Sequence, residues 1–177
     1  MPIPPTATNI TRLNAPPDYI RHLLAITPKV EEIHIIFPLL LSHFDYASYR
    51  SALDAIAQHP SSTPLILSFD FDLASKNLPW QTTDVLDADA PERHLHRVTH
   101  LILRNHNFTH LSRDSTTTDA LAAWLGRFPS LRDLSFAEEV FKDMPSDDDS
   151  DEWMKYAQSV TAMAASLNPW DVHFSSY

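Results

Sequence analysis

Hydrophobic positions along the chain follow two alternating rhythms, and prolines mark the changeover between them. Over Asp18 to Ile26, Tyr19, Ile20, Leu23, Leu24 and Ile26 recur at helical spacing, and Thr27-Pro28 stops the pattern. Val30-Glu-Glu-Ile33-His-Ile35-Ile36-Phe37 then reads as a strand closed by Pro38. The theme returns in Tyr46 to His59, where Tyr49, Leu53, Ile56 and Ala57 share a helical face ahead of Pro60 and Pro64. Leu65 to Phe71 follows and alternates with a period of two. Thr117 to Phe128, with Leu121, Trp124, Leu125 and Phe128 on one face, precedes Pro129 and a strand over Leu131 to Phe136. Glu152 to Leu167 carries Trp153, Tyr156, Val160, Met163 and Leu167 at helical spacing, and Pro169 separates it from a strand over Trp170 to Phe174. Two more strands, Ile10 to Leu13 and Val98 to Leu103, lack a clear helix just upstream.

One strand phrase, [VIL]-x-x-[LI]-x-[ILF], is written at Val30/Ile33/Ile35, Val98/Leu101/Leu103 and Leu131/Leu134/Phe136. Looser copies stand at Ile10/Leu13 and Leu167/Trp170/Val172. Starts at Val98, Leu131 and Leu167 lie 33 and 36 residues apart, and the 68 residues from Val30 to Val98 hold two periods with the Leu65 strand between them. A period in this range belongs to stacked units that cannot cover their apolar strand faces alone. The expected fold is therefore α/β: a short, irregular leucine-rich-repeat-like solenoid, with parallel strands on the concave face and helices on the convex face. It forms one repeat-type domain over 1–177, with loop excursions at 74–93 and 143–152.

Composition narrows the function. The chain holds one glycine, Gly126, so no GxGxxG, P-loop or GxSxG can be written, and the glycine-dependent phosphate cradles fall away with the α/β-hydrolase elbow. Cysteine is absent, which removes disulfides, thiolate zinc sites and cysteine nucleophiles. A net charge of −10 repels phosphate backbones, so nucleic acid is not an expected partner. The longest apolar run, Ile33 to Leu41, is too short to span a bilayer, and Met1 to Asn9 lacks the pattern of a secretory signal. A soluble cytoplasmic or nuclear protein with no membrane partner is expected. Asp147 to Glu152 begins like an EF-hand loop but has Glu152 at the glycine position and Gln158 at the twelfth, so a solvated acidic loop is expected.

Trp124-Leu-Gly-Arg-Phe-Pro-Ser-Leu131-Arg-Asp-Leu134-Ser-Phe136, with Ile26-Thr-Pro-Lys-Val30-Glu-Glu-Ile33-His-Ile35, resembles the leucine-rich repeats of fungal F-box proteins. Short pieces over half of the chain carry the likeness. In that family the repeats recruit substrates to a ubiquitin ligase, and the resemblance implies a non-catalytic protein-recognition module without cofactor. No Leu-Pro-x-Glu segment of F-box type is found near Met1.

On this fold, residues between the apolar strand positions point into the concavity. The expected partner-binding row is Glu32, His34, His100, Ile102, Arg132, Asp133, Ser135, Asp171 and His173, and Trp80 is an added anchor from a polar loop. Two rival readings accompany it. His94, His96 and His100 would share one face of an extended segment and make a metal-dependent enzyme, with Glu92 or Asp114 as the nearby carboxylate. Exposed strand edges would alternatively build a homo-oligomeric structural protein.

Overall fold

The structure, a computed structural model, describes residues 9–37, 44–71, 78–82, 89–105, 115–138, 158 and 171–176. Six strands, β1 (Arg12–Ala15), β2 (Glu32–Ile36), β3 (Leu65–Phe71), β4 (Val98–Asn105), β5 (Asp133–Glu138) and β6 (Asp171–Ser176), form one sheet. Each strand pairs in parallel with the next in sequence, so the spatial order is β1 to β6 without a crossover. Among the described residues, helices α1 (Pro17–Leu24), α2 (Tyr46–Ala57), α3 (Pro79–Thr82) and α4 (Ser115–Leu125), and a 3-10 turn over Pro91–His94, lie between them.

Local chemistry sets the helix ends. Pro17 stands at the first turn of α1, where a missing N–H costs nothing, Asp18 suits the N-terminal dipole, and Arg21 and His22 suit the C-terminal one. The Thr27 hydroxyl donates to the Leu23 carbonyl at 2.7 Å, satisfying one acceptor that the helix leaves open. Asp45 caps α2 by accepting from the Ala47 and Ser48 amides, both at 3.1 Å. Pro28, Pro60 and Pro129 then prevent the helical path from continuing into the next strand.

A chain that moves to the neighbouring parallel strand with the same hand each time returns its connections to the same sheet face. The aromatic contacts agree with this. Tyr49 of α2 and Trp124 of α4 both pack on Phe69 of β3, with ring centroids 5.8 and 6.1 Å away. The covered face carries aligned apolar rungs. Leu13, Ile33, Leu67, Leu101 and Leu134 share one register, and Ala15, Ile35, Phe69 and Leu103 the next. From Ile33 the first of these rungs recurs after 34, 34 and 33 residues. Leu65 and Val98, which open β3 and β4, and Val30 and Leu131, two residues before β2 and β5, are buried as well.

Three differences from the expected elements have local causes. The 74–93 excursion contains α3 and the 3-10 turn, and Pro79 and Pro91 each open one of them, at a first-turn position that proline suits. The strand after Pro129 begins at Asp133 rather than Leu131, and Ile10 precedes β1 instead of belonging to it. Ile10 is 42% exposed although its counterpart Val30 is fully buried, because no described unit lies upstream to cover it. The acidic loop at 143–152 and the helix expected over Glu152 to Leu167 lie outside the described residues, except that Gln158 is helical. Among the described residues, no helix is long and apolar enough to cross a membrane.

Candidate functional site: the second face of the sheet

Strand alternation sends every second residue away from the helix layer, and the register aligns these residues into three transverse rows. The first runs Arg12, Glu32, Ile66, His100, Asp133, Asp171; the second Asn14, His34, Ser68, Ile102, Ser135, His173. The third contains Ile36, Asp70 and Arg104. In-register pairing places Thr99 out of step at a bulge, since Val98 opposes Leu65 while His100 opposes Ile66. Without that bulge, His100 would sit one place off its row.

Cross-strand contacts fix several of these side chains. Arg12 Nε lies 2.8 Å from Glu32 Oε2. Arg104 Nε donates to Ser68 Oγ at 3.1 Å, and His100 Nε2 lies 2.8 Å from Ser135 Oγ. Half-buried Ile36, Ile66 and Ile102 are set among these polar groups. His34 Nε2 is buried without a hydrogen-bond partner. Desolvation, and then the Arg104 guanidinium, hold the His34 pKa below its usual 6.5, against the opposing pull of Asp70 and Glu32.

The His100–Ser135 distance is within reach of a base and a nucleophile. An acyl-transfer site also needs free N–H groups aimed at the developing oxyanion. Ser135 sits inside β5, paired with Ile102 on one side and His173 on the other, so the surrounding amides are committed to the sheet ladder.

The structure brings Glu32, His34, His100, Ile102, Asp133 and Ser135 onto one face. Arg132 is exposed at the entrance to β5, its amide donating to the Thr99 carbonyl at 2.9 Å. Asp171 and His173 continue the first and second rows by register. Trp80 is a correction. It is 5% exposed, with its ring 5.4 Å from Trp124, because the short helix α3 folds it over α4 and so removes it from any partner surface.

The histidine cluster is a second correction. His94 closes the 3-10 turn and His96 lies in the turn after it, so the segment is not extended and the period-two argument fails. Among the described residues, no group of three His, Cys, Asp or Glu side chains could hold a metal ion, and that includes His94, His96 and His100. Glu92, the carboxylate expected to assist a metal, is instead fully buried. Its Oε1 accepts from Tyr49 Oη at 2.7 Å and Trp124 Nε1 at 2.9 Å, while Arg127 Nη1 lies 3.9 Å from Oε2. Burial, followed by the Glu92 charge, raises the Tyr49 pKa well above 10.

His94, His96, His59 and Arg97 do line a cleft of about 210 Å³ at the ends of β3 and β4. Arg97 is already engaged there, with Nε to the Thr63 carbonyl at 3.0 Å, Nη2 to the Val30 carbonyl at 3.1 Å and Nη1 to His59 Nδ1 at 3.0 Å. Since Arg97 can only donate, His59 Nδ1 accepts. Nε2 therefore carries the proton and donates to the Thr27 carbonyl at 3.2 Å. The cleft is a clasp between successive units.

That clasp is sensitive to acid. Desolvation and then Arg97 lower the His59 pKa below 6.5, and His34 is lowered too. For both residues the unfolded chain takes up protons first, so their contribution is complete above about pH 6.5 and fades as pH falls through the lowered folded values. The urea midpoint is expected to drop between pH 7.5 and 5, and His59→Gln is expected to flatten that slope. Equal slopes for the two proteins would refute the assignment.

Sequence reasoning missed Ile66, Ser68, Asp70 and Arg104 as members of the face. A signal was present for three of them: the alternation over Leu65 to Phe71 places Ile66, Ser68 and Asp70 on the side opposite Leu67 and Phe69. The buried Glu92 cluster had no linear signal, since its members come from α2, the 3-10 turn and the α4 end, tens of residues apart. No family model matches the chain, and neither a curated protein nor a solved structure matches it.

Proposed function

We propose that the protein is a non-catalytic recognition module of leucine-rich-repeat type that binds another protein across the second face of its sheet. The observation carrying this reading is the in-register polar face of β1 to β5, where cross-strand contacts position charged side chains around Ile36, Ile66 and Ile102. Sequential parallel order, a spacing near 34 residues and helices backing one face support the solenoid reading, with the polar face as its concavity.

Charges of both signs stand on and beside this face, Arg12, Arg104 and, at the entrance to β5, Arg132 against Glu32, Asp70, Asp133 and, by register, Asp171, a near balance in a chain that is strongly acidic. Balanced charge with apolar centres suits a polypeptide, whereas a phosphate backbone demands an excess of cations. Recruitment of clients to a ubiquitin ligase, in the cytoplasm or nucleus, is the more specific form of the proposal.

Affinity capture with the wild type and with an Ile66→Glu/Ile102→Glu variant tests it. Both side chains are half-buried on the face, so the variant should fold, and client recovery should fall at least about tenfold, equivalent to 1.4 kcal/mol. Undiminished recovery would reject the face as the binding surface. Co-recovery of the ligase adaptor with the wild type would support the ligase form.

A further inference from the structure

We infer that the β1 end of the sheet is a self-association edge, joining two copies about a twofold axis at β1. The inference concerns the backbone edge of β1, bordering the proposed binding face whose rows begin at Arg12 and Asn14, and does not depend on that reading.

Among the described residues, the backbone pattern leaves this edge open. Glu32 N donates to the Thr11 carbonyl at 3.0 Å, so in a parallel ladder residues 11, 13 and 15 of the first strand exchange bonds with β2. Arg12 and Asn14 therefore direct their N–H and C=O groups outward. The described residues offer these groups no partner. Such an edge is a template for another strand, and Pro16 confines pairing to this short stretch.

The helix above the edge is apolar on its outer side as well. On α1, Ile20 and Leu24 face the core, while Asp18 meets α2 through a 2.7 Å bond from Ser48 Oγ, and Arg21 lies in the α1–α2 groove. Helical spacing puts Tyr19 and the half-buried Leu23, which also touches the core, on the side away from α2. Tyr19 is 61% exposed, and with Ile10 it makes up the exposed large hydrophobic residues among those described. Both belong to the first unit.

Charge points to a second copy as the occupant. Between residues 9 and 32, Arg12, Arg21 and Lys29 balance Asp18, Glu31 and Glu32, so the excess charge of −10 lies elsewhere in the chain. At this end two acidic molecules can approach without mutual repulsion. A twofold axis normal to the sheet pairs Arg12 with Asn14 of the other copy in antiparallel fashion and keeps both helix layers on one side. Tyr19 and Leu23 then meet their own copies in an isologous contact.

Light scattering across a concentration series tests this with the full chain. The wild type is expected to approach twice the monomer mass at high concentration. Tyr19→Asp puts like charges together across the axis, and Asn14→Pro removes an outward N–H while taking no bond from β2. Each should raise the dissociation constant at least about tenfold, equivalent to 1.4 kcal/mol. Tyr19 is exposed, so its variant keeps the monomer melting temperature and separates lost association from lost folding. A wild type that stays monomeric throughout, or a dimer untouched by both substitutions, would overturn the inference.

Discussion

Replacing Glu92 with alanine is expected to destabilise the protein by about 3–5 kcal/mol, enough to lower its melting temperature by roughly 6–20 °C. The carboxylate is fully buried and ties α2, the 3-10 turn and the end of α4 together through Tyr49, Trp124 and Arg127. Its removal takes a buried acceptor from Tyr49 Oη and Trp124 Nε1, leaving the indole only its longer 3.2 Å bond to Tyr49 Oη within this cluster, and takes a carboxylate from beside the buried Arg127 guanidinium. Glu92→Gln keeps an acceptor and loses the charge, so it should fall between wild type and Glu92→Ala. Urea denaturation at pH 7 measures both. A loss under about 1 kcal/mol for Glu92→Ala would show that the cluster contributes little. Replacing Glu92 and Arg127 together by apolar residues of similar volume should cost less than Glu92→Ala, since the buried guanidinium is then removed along with the carboxylate beside it.

The second large effect is expected at Phe69. Its ring lies on the covered face of β3, within 6.4 Å of Phe37, 5.8 Å of Tyr49 and 6.1 Å of Trp124, and it is fully buried. Phe69→Ala removes the surface against which α2 and α4 both pack. The expected cost is about 3–5 kcal/mol, from lost transfer energy and the cavity left behind. Phe69→Leu, which retains much of the volume, should cost markedly less. Similar losses for the two variants would mean that the site collapses around either side chain and that the aromatic contacts are not what joins the helix layer to the sheet.

The extent to which the chain discloses its fold follows from where the information is stored. The apolar rungs were legible because each strand phrase is local, and Val30, Ile33 and Ile35 are all buried as their spacing implies. Leu65 to Phe71 was recognised at its observed bounds for the same reason. Parallel neighbours followed from repetition: identical apolar faces preceded by similar helices leave side-by-side stacking as the economical cover. Trp80 was misread because its surroundings in sequence are polar, whereas its burial depends on α4, some forty residues away. His94 and His96 were misread because Pro91 starts a tight turn, and histidines that alternate in sequence then no longer share a face. The Glu92 cluster depends wholly on tertiary contacts.

The polar face stands between these cases. Alternation assigns each residue to a side, but only the register decides which residues become neighbours. The bulge at Thr99 moves His100 into the row with Ile66 and Asp133; the two residues between the buried Val98 and Leu101 allow for it, but which residues His100 then meets across the sheet is set by the register alone. Arg104 lies just beyond the predicted end of its strand, so its contact with Ser68 could not be anticipated.

A photo-crosslinking amino acid placed at Ile102, in the middle of the second face, tests the proposed recognition surface most directly, with Asp54 on α2 as the control position. Irradiation in cells should join a discrete client to the chain from position 102 and none from position 54. Adducts formed from α2 with nothing captured at the sheet would contradict the account.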